Sequence, residues 1–507
     1  MNIYLAEITA YNLTTLAVET LRFCTGTGYI DGSSNYYEPR IEQPALMRRE
    51  TFADGQIGGA SANSLGELVL ANGDGGLDGL IGYAFAGRAI TLKVGDSAAA
   101  YGSFVTRLKA VVDSVGYEYG RISLVLRDRM QDFDKPIQPL RYAGSNSLPN
   151  GLEGVDDLKD SQKPLVFGRA NNMTPVLVNT SRLIYQVSSG AVAAVVNVFD
   201  RGSYLSQGAD YTSQADMEAN SPAAGTYRVW PAGGCVRLGS SPSGTVTATV
   251  WEYWQPENCS AAQIVYRIAT GVGSVAPGDT VAADYTTLDG QNAGGIGLVC
   301  GADMTIADAL NQIAASVGAW WGFDALGRFR VARLDAPAGS PAVTFTAAEI
   351  LELEIAPATL NGSRMPAWRV GMRADPNWTP QPGSELAGIV PADRRTWLAQ
   401  GYRLSKAEDA TVKTAYPLAQ EAEYDSLLAG AGFAAPEAQR RLALFKSARF
   451  VATLSVAAEP AMIDLLDLGT VVSLQIARYG MDAGKLMSVI GIETDYRRNR
   501  VSLTLWG

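Results

Sequence analysis

Two stretches at opposite ends of the chain carry the same small piece of β-structure, and this repeat constrains the fold more than any other feature. Arg88–Asp128 reads RAITLKVGDSAAAYGSFVTRLKAVVDSVGYEYGRISLVLRD, and Thr470–Gly507 reads TVVSLQIARYGMDAGKLMSVIGIETDYRRNRVSLTLWG. Each opens on an alternating strand (ITLKV, VSLQI) and crosses a loop holding Tyr101-Gly102 or Tyr479-Gly480. A second strand follows, then a turn, then a third strand, RISLVL or RVSLTL. The middle loops differ in length. Period-two alternation of this kind describes strands with one buried face. A module present twice in one chain lets a small symmetric oligomer imitate a larger one: three chains would present six modules.

A chain of 507 residues exceeds what one hydrophobic core serves, so several domains are expected. No window approaches the apolar run that crosses a bilayer, and Met1–Tyr11 lacks the basic start and long apolar core of a signal peptide, so neither is expected. A net charge of −10 argues against a dedicated nucleic-acid groove. Histidine is absent, which removes imidazole-activated nucleophiles and most zinc sites. Cys24, Cys235, Cys259 and Cys300 lie far apart with no CxxC spacing and read as buried thiols; the sequence leaves open whether they hold a metal or an iron–sulfur cluster.

Four regions follow from the patterning. Residues 1–145 read as an N-terminal β-barrel module, with short strands such as Leu5–Ala10, Leu16–Phe23 and Leu65–Leu70 between Gly-rich turns. The polar, acidic run Asn146–Pro164 opens a second β-rich domain over 146–255. Residues 256–340 read as an α+β insert of two helices and a hairpin. Ser260 and Gln263 form a capping box before AAQIVYRIAT, and Thr305 opens a helix with Ile306, Leu310, Ile313 and Val317 on one face. Residues 341–507 form a C-terminal domain, with a helix over Glu437–Phe445 behind Pro436 and the second β-barrel module. The fold class is mainly β and multidomain.

No catalytic, cofactor or metal residues are assigned. Asn72–Asp78 (NGDGGLD) resembles a Ca²⁺ loop but lacks the glutamate at position twelve and flanking helices, so it reads as a hairpin turn. Gly26-Thr27-Gly28 lacks the third glycine of a dinucleotide site. The carboxylate pairs Asp156-Asp157 and Asp464/Asp467 have no glycosidase geometry in sequence and read as solvated acids. Arg497-Arg498-Asn499-Arg500 is a basic turn, either a solvated hairpin tip or a positive rim facing a polyanion. Trp320-Trp321 and Trp368 read as core or interface aromatics.

Taken with their order, GELVLANGDGGLD and FDKPIQPLRYAG near the start, and APEAQRRLALFKSARF, LGTVVSL and RYGMDAGKLMSVIGIETDYRRNRVSLTLWG at the end, resemble the tail-tip proteins of long-tailed bacteriophages, prophages and gene transfer agents. Within that group the chain is most similar to baseplate hub proteins. The resemblance implies a non-enzymatic virion protein at the tail tip, assembled in the bacterial host cytoplasm. It also implies a homotrimer of two-barrel chains joining a six-fold tube to a three-fold tip. The implied partners are the tail tube or distal tail protein, the tape-measure protein and tail-tip or receptor-binding proteins, with DNA passing transiently through a channel. A hexameric distal tail protein is the alternative; a tail-associated cell-wall hydrolase or a receptor-binding adhesin are the remaining readings.

Overall fold

The structure is a computed structural model that describes residues 2–52, 58–358, 366–495 and 498–507. Strands hold 41% of the chain and helices 19%, which makes it mainly β. The N-terminal barrel uses β1 (Asn2–Asn12), β2 (Ala17–Cys24), β3 (Ile41–Gln43), β6 (Glu67–Ala71), β7 (Ala89–Asp96), β8 (Val105–Glu118) and β9 (Arg121–Arg127); β4 (Met47–Glu50) and β5 (Ala62–Leu65) lie between β3 and β6 in the chain. The sheet runs β1-β7-β8-β9-β6-β3, all antiparallel, with β2 also paired to β1. Cys24 N donates to Glu38 O (2.7 Å) and Ala71 N to Arg40 O (2.7 Å), so the segment leading into β3 lies between β2 and β6 and closes the barrel. The alternation of β9 sends Ile122, Leu124 and Leu126 into the core, with the intervening side chains more exposed. Each such side chain contributes about 1.5–3 kcal/mol when taken from water.

Next comes a β-sandwich. One five-stranded sheet contains Val166–Met173, Ala194–Asp200 and Val246–Trp251, and the other contains Ile184–Gln186, Thr226–Trp230 and Cys235–Leu238. Their inner faces meet in one core through Ala170, Val198 and Val250 on one side and Tyr227, Val229 and Val236 on the other.

The α+β region contains α1 (Ala261–Thr270), α2 (Ala282–Gln291), α3 (Ile306–Val317), β10 (Ala319–Phe323) and β11 (Phe329–Arg333). Ser260 Oγ accepts from Gln263 N, Thr305 and Asp308 bond reciprocally, and Gly318 ends α3 in the left-handed conformation (φ 68°). The expectation of two helices is corrected: α2 is a third. Only Tyr285 and Leu288 on it are buried, so the periodic stripe that betrays α1 and α3 is missing.

The C-terminal sheet is built from β12 (Thr344–Thr346), β13 (Ile350–Pro357), β14 (Phe450–Ala457), β15 (Val471–Gln475), β16 (Lys485–Asp495) and β17 (Arg500–Trp506), with α4 (Ala431–Phe445) between β13 and β14 in the chain. Its order is β12-β15-β16-β17-β14-β13, antiparallel except for the β12–β15 pair. Val501, Leu503 and Leu505 of β17 are fully buried. The helix expected from Glu437 starts at Ala431, with Pro436 inside it. It packs on a three-stranded sheet formed by Ala367–Ala374, Arg403–Glu408 and Gln420–Asp425.

One segment changes partners. The predicted strand Leu65–Leu70 is broken at Gly66: β6 stays in the N-terminal barrel, whereas β5 pairs with β4, and β4 pairs with β16 of the C-terminal sheet. Gly66 N donates to Leu46 O (2.7 Å), and a Cβ on Gly66 would sit 3.3 Å from that backbone, so the crossing is tight where the chain switches sheets.

Candidate functional site at the junction of the two barrels

The two modules match residue by residue in register. In the first, Ser114 faces Val125, Val115 faces Leu124, Tyr117 faces Ile122 and Glu118 faces Arg121; in the second, Gly491 faces Thr504, Ile492 faces Leu503, Thr494 faces Val501 and Asp495 faces Arg500. The register slips between Val112 and Ser114 in one and between Val489 and Gly491 in the other, which places the β-bulge at equivalent residues. A second slip also coincides. Between β3 and β6 it lies at Ile41/Gln43, and between β13 and β14 it lies at Ile350/Glu352. Simple strand alternation has no reason to reproduce two bulges at matching positions, so the modules are two copies of one architecture. They diverge at the next strand outward: β1 is antiparallel to β7, whereas β12 is parallel to β15.

The crossing hairpin couples the copies. β4 lies antiparallel against β16, with Glu50 opposite Gly491 and Met47 opposite Thr494, and Thr51 N donates to Ile490 O (2.8 Å). Farther along the same excursion, Gly59-Ala60 pairs parallel with Trp320-Trp321 of β10. A buried chain of charge holds the seam. Arg49 on β4 meets Asp467 at 2.5 Å, Asp467 meets Arg330 on β11 at 2.6 Å, and Arg330 meets Asp284 on α2 at 2.6 Å. Burial pushes the Asp467 carboxyl up, but the Arg49 and Arg330 guanidiniums outweigh it and hold the group below its ordinary range. Burial likewise opposes the charge on Arg330, and Asp284 and Asp467 hold it ionised. Removing Asp467 strands the desolvated charge of Arg49.

Of the residues singled out by sequence, Asp464 and Asp467 stand at this seam, where they line one cleft with Arg49 and Arg107. Asp464 pairs with Arg107. Asp156 and Asp157 lie on a surface 3₁₀ turn. In the Asn72–Asp78 loop the oxygens serve the loop itself: Asn72 Oδ1 accepts from Leu77 N (2.8 Å), Asn72 Nδ2 donates to Asp78 (2.8 Å), and Asp74 pairs with Arg40 at 2.7 Å. The Arg40 guanidinium lowers the Asp74 carboxyl to about 2. Gly26 and Gly28 take positive φ in the turn after β2. In the basic turn Arg497 lies outside the described residues; Arg498 is exposed beside Asp495, and Arg500 reaches Glu352 at 3.3 Å. Trp320 and Trp321 are buried, and Trp321 Nε1 donates to Asn311 (2.9 Å). Trp368 is half-buried under Lys413.

All four cysteines are buried free thiols, and burial pushes Cys235 and Cys300 up to about 12. Among the described residues, no three His, Cys, Asp or Glu side chains gather closely enough to hold a metal ion. Among the described residues, no helix is long and apolar enough to cross a membrane. A cleft of about 600 Å³ between α3 and the three-stranded sheet is lined by Asn311, Ser316, Arg373, Tyr402 and Asp425; its Arg373 and Asp425 are paired with each other at 2.9 Å. Sequence reasoning missed Arg49, Arg330 and Asp284, because Arg49 reaches Asp467 only through a strand crossing between modules, and Arg330 meets Asp284 and Asp467 only through tertiary packing.

No family model and no curated protein matches the chain. Among solved structures, it is similar to the 43 kDa tail protein of prophage MuSo2 from Shewanella oneidensis (11% identity, 98% of this chain and 96% of that one, TM-score 0.39). It is similar to a tail protein from Neisseria meningitidis MC58 (11% identity, 99% and 96%, TM-score 0.43). It is also similar to a chain in the virion of a native gene transfer agent particle (15% identity, 74% and 91%, TM-score 0.44). At these scores the overlap is long but loose, and neither fold nor function follows from it.

Proposed function

We propose that the chain is a structural subunit of a phage-type tail, a baseplate hub that joins a six-fold tube to a three-fold tip and forms part of the ejection channel. The observation that carries this reading is the duplicated module with coincident bulges. A ring of six equivalent docking modules needs only three chains when each supplies two. The sequence resemblance to hub proteins supports the same assignment. On this reading the division near residues 145, 255 and 340 separates barrel, sandwich, insert and second barrel. The neighbours are the tube or distal tail protein, the tape-measure protein and the tip proteins, and DNA passes through without a resident site. The role is mechanical, without catalysis. Its site in the particle is the tail tip, after assembly in the bacterial cytoplasm.

The test is electron cryomicroscopy of assembled tails with the symmetry resolved at this protein. Three copies with six barrels in one ring are expected. Six copies with one barrel each in the ring would replace the reading with that of a distal tail protein. Turnover of peptidoglycan by the purified protein, abolished by one Asp or Glu substitution, would overturn the non-catalytic assignment.

A further inference from the structure

A cleft of about 560 Å³ opens beside the end of β1, between the β1–β2 turn, the Gly-rich loop after β6 and the segment that joins β2 to β3. Its volume lies within the range of small-ligand sites, about 300–1,000 Å³. One side is braced from within the protein. Asn12 Nδ2 donates to Glu19 (2.9 Å) and to the Tyr83 hydroxyl (3.1 Å), and that hydroxyl donates to Glu19 in turn (2.7 Å). By contrast, the hydroxyls of Thr14, Thr20 and Tyr36 on the lining have no hydrogen-bond partner among the described residues. The charged side chains on the lining are Arg22 and Glu38, held side by side by Glu38 N donating to Arg22 O (3.1 Å), so the cleft carries no net charge. Gly79 and Gly82 also line it. Neither takes a positive φ, and a Cβ on either would meet no atom within 4 Å. Neither backbone conformation nor packing asks for glycine there. Close approach of the backbone to a ligand does.

We propose that this cleft binds a short neutral saccharide. The class follows from the lining. Unpartnered hydroxyls both donate and accept, and a sugar hydroxyl answers each of them in either sense. The Tyr36 ring, 52% exposed, presents an apolar body with a polar tip, which suits the C–H face of a sugar ring edged by hydroxyls. A phosphate or a nucleic-acid strand would need cations in excess, and Arg22 is offset by Glu38. The core of a protein interface is apolar and closely packed, whereas this lining is concave and hydroxyl-bearing. The glycine wall lets a ring lie against the backbone, where a side chain would hold it off. The braced side keeps its shape without a ligand, so little ordering is left to oppose binding.

The test is a saturation-transfer NMR titration of the purified full-length protein with maltose, cellobiose, lactose and chitobiose, and with glucuronic acid as the charged comparison. Saturation is expected to reach at least one of the neutral disaccharides and not glucuronic acid. Gly79→Ala adds a methyl group where no protein atom stands, so the variant keeps the wild-type circular dichroism and should weaken binding at least about tenfold. Tyr36→Ala removes an exposed ring and should weaken it as well. No signal from any of the neutral disaccharides overturns the proposal. Binding that Gly79→Ala or Tyr36→Ala leaves unchanged overturns this cleft as the site. Signal from glucuronic acid alone overturns the neutral class. None of these outcomes touches the hub reading, which is tested by the symmetry of the assembled tail.

Discussion

Replacing Asp467 by asparagine should loosen the seam between the barrels without disturbing its shape. Asparagine keeps an acceptor for Leu468 N, which the aspartate engages at 2.8 Å. It loses the charge that two arginines share. Arg330 retains Asp284, but Arg49, with its side chain only 5% exposed, is left without its carboxylate. Breaking a fully buried pair costs about 3–5 kcal/mol. Asp467 is 31% exposed, so water softens the loss, and about 2–3 kcal/mol is expected. Asp303→Asn is the control: it and its partner Arg141, 3.6 Å away, are both exposed, and the change should cost less than about 1 kcal/mol.

The assay is urea unfolding read by hydrogen exchange of the peptide over Gly491–Asp495, which reports β16 against β4. The pH dependence has a fixed sign. The folded carboxyl lies below its unfolded value of about 3.9, so its stabilisation is fully present above that pH and is lost as pH falls through the folded value. The gap between wild type and variant, full at pH 7, should close in acid. A variant within about 0.5 kcal/mol of wild type at pH 7, or a control that costs as much, would refute the reasoning.

Leu124→Asp and Leu503→Asp occupy matching places in the two modules, and each buries a carboxylate at a cost of several kcal/mol; both should open their barrels to limited proteolysis, and tolerance of one alone would deny the equivalence. Glu437 is buried between Arg440 (2.6 Å) and Arg441 (2.7 Å), so Glu437→Gln should cost about 3–5 kcal/mol in chemical denaturation, and adding Arg441→Met should recover part of it; no recovery would place the loss elsewhere. Cys235 and Cys300 should resist iodoacetamide in the native protein near neutral pH and label in urea, as followed by mass spectrometry, because burial suppresses their thiolates; native labelling within minutes would contradict their environment.

The repeat was legible because β-alternation is local: RISLVL and RVSLTL state which side chains enter a core before any partner is known. The caps at Ser260 and Thr305 were legible for the same reason, since a cap needs only residues three positions apart. α2 was not, because it buries little and lacks a stripe. The switch of sheets at Gly66 was hidden within an unbroken alternating run, and pattern alone does not say which sheet a strand joins. The Arg49–Asp467 pair follows from that switch and was hidden with it.

The crossing hairpin also sets a timetable. Arg49 and Asp467 are 418 positions apart, so on the ribosome the padding strand is made long before the edge it pads. Until then β4 (MRRE) and β5 (ANSL) emerge as a largely polar ribbon with no finished sheet to join, and the long loop closure slows the last step. A C-terminal fragment expressed alone would lack that strand and expose Gly491–Thr494 as a sticky edge. Supplying residues 44–66 in trans is then the natural rescue, and it would make the two halves of this chain behave as separable parts that recognise each other.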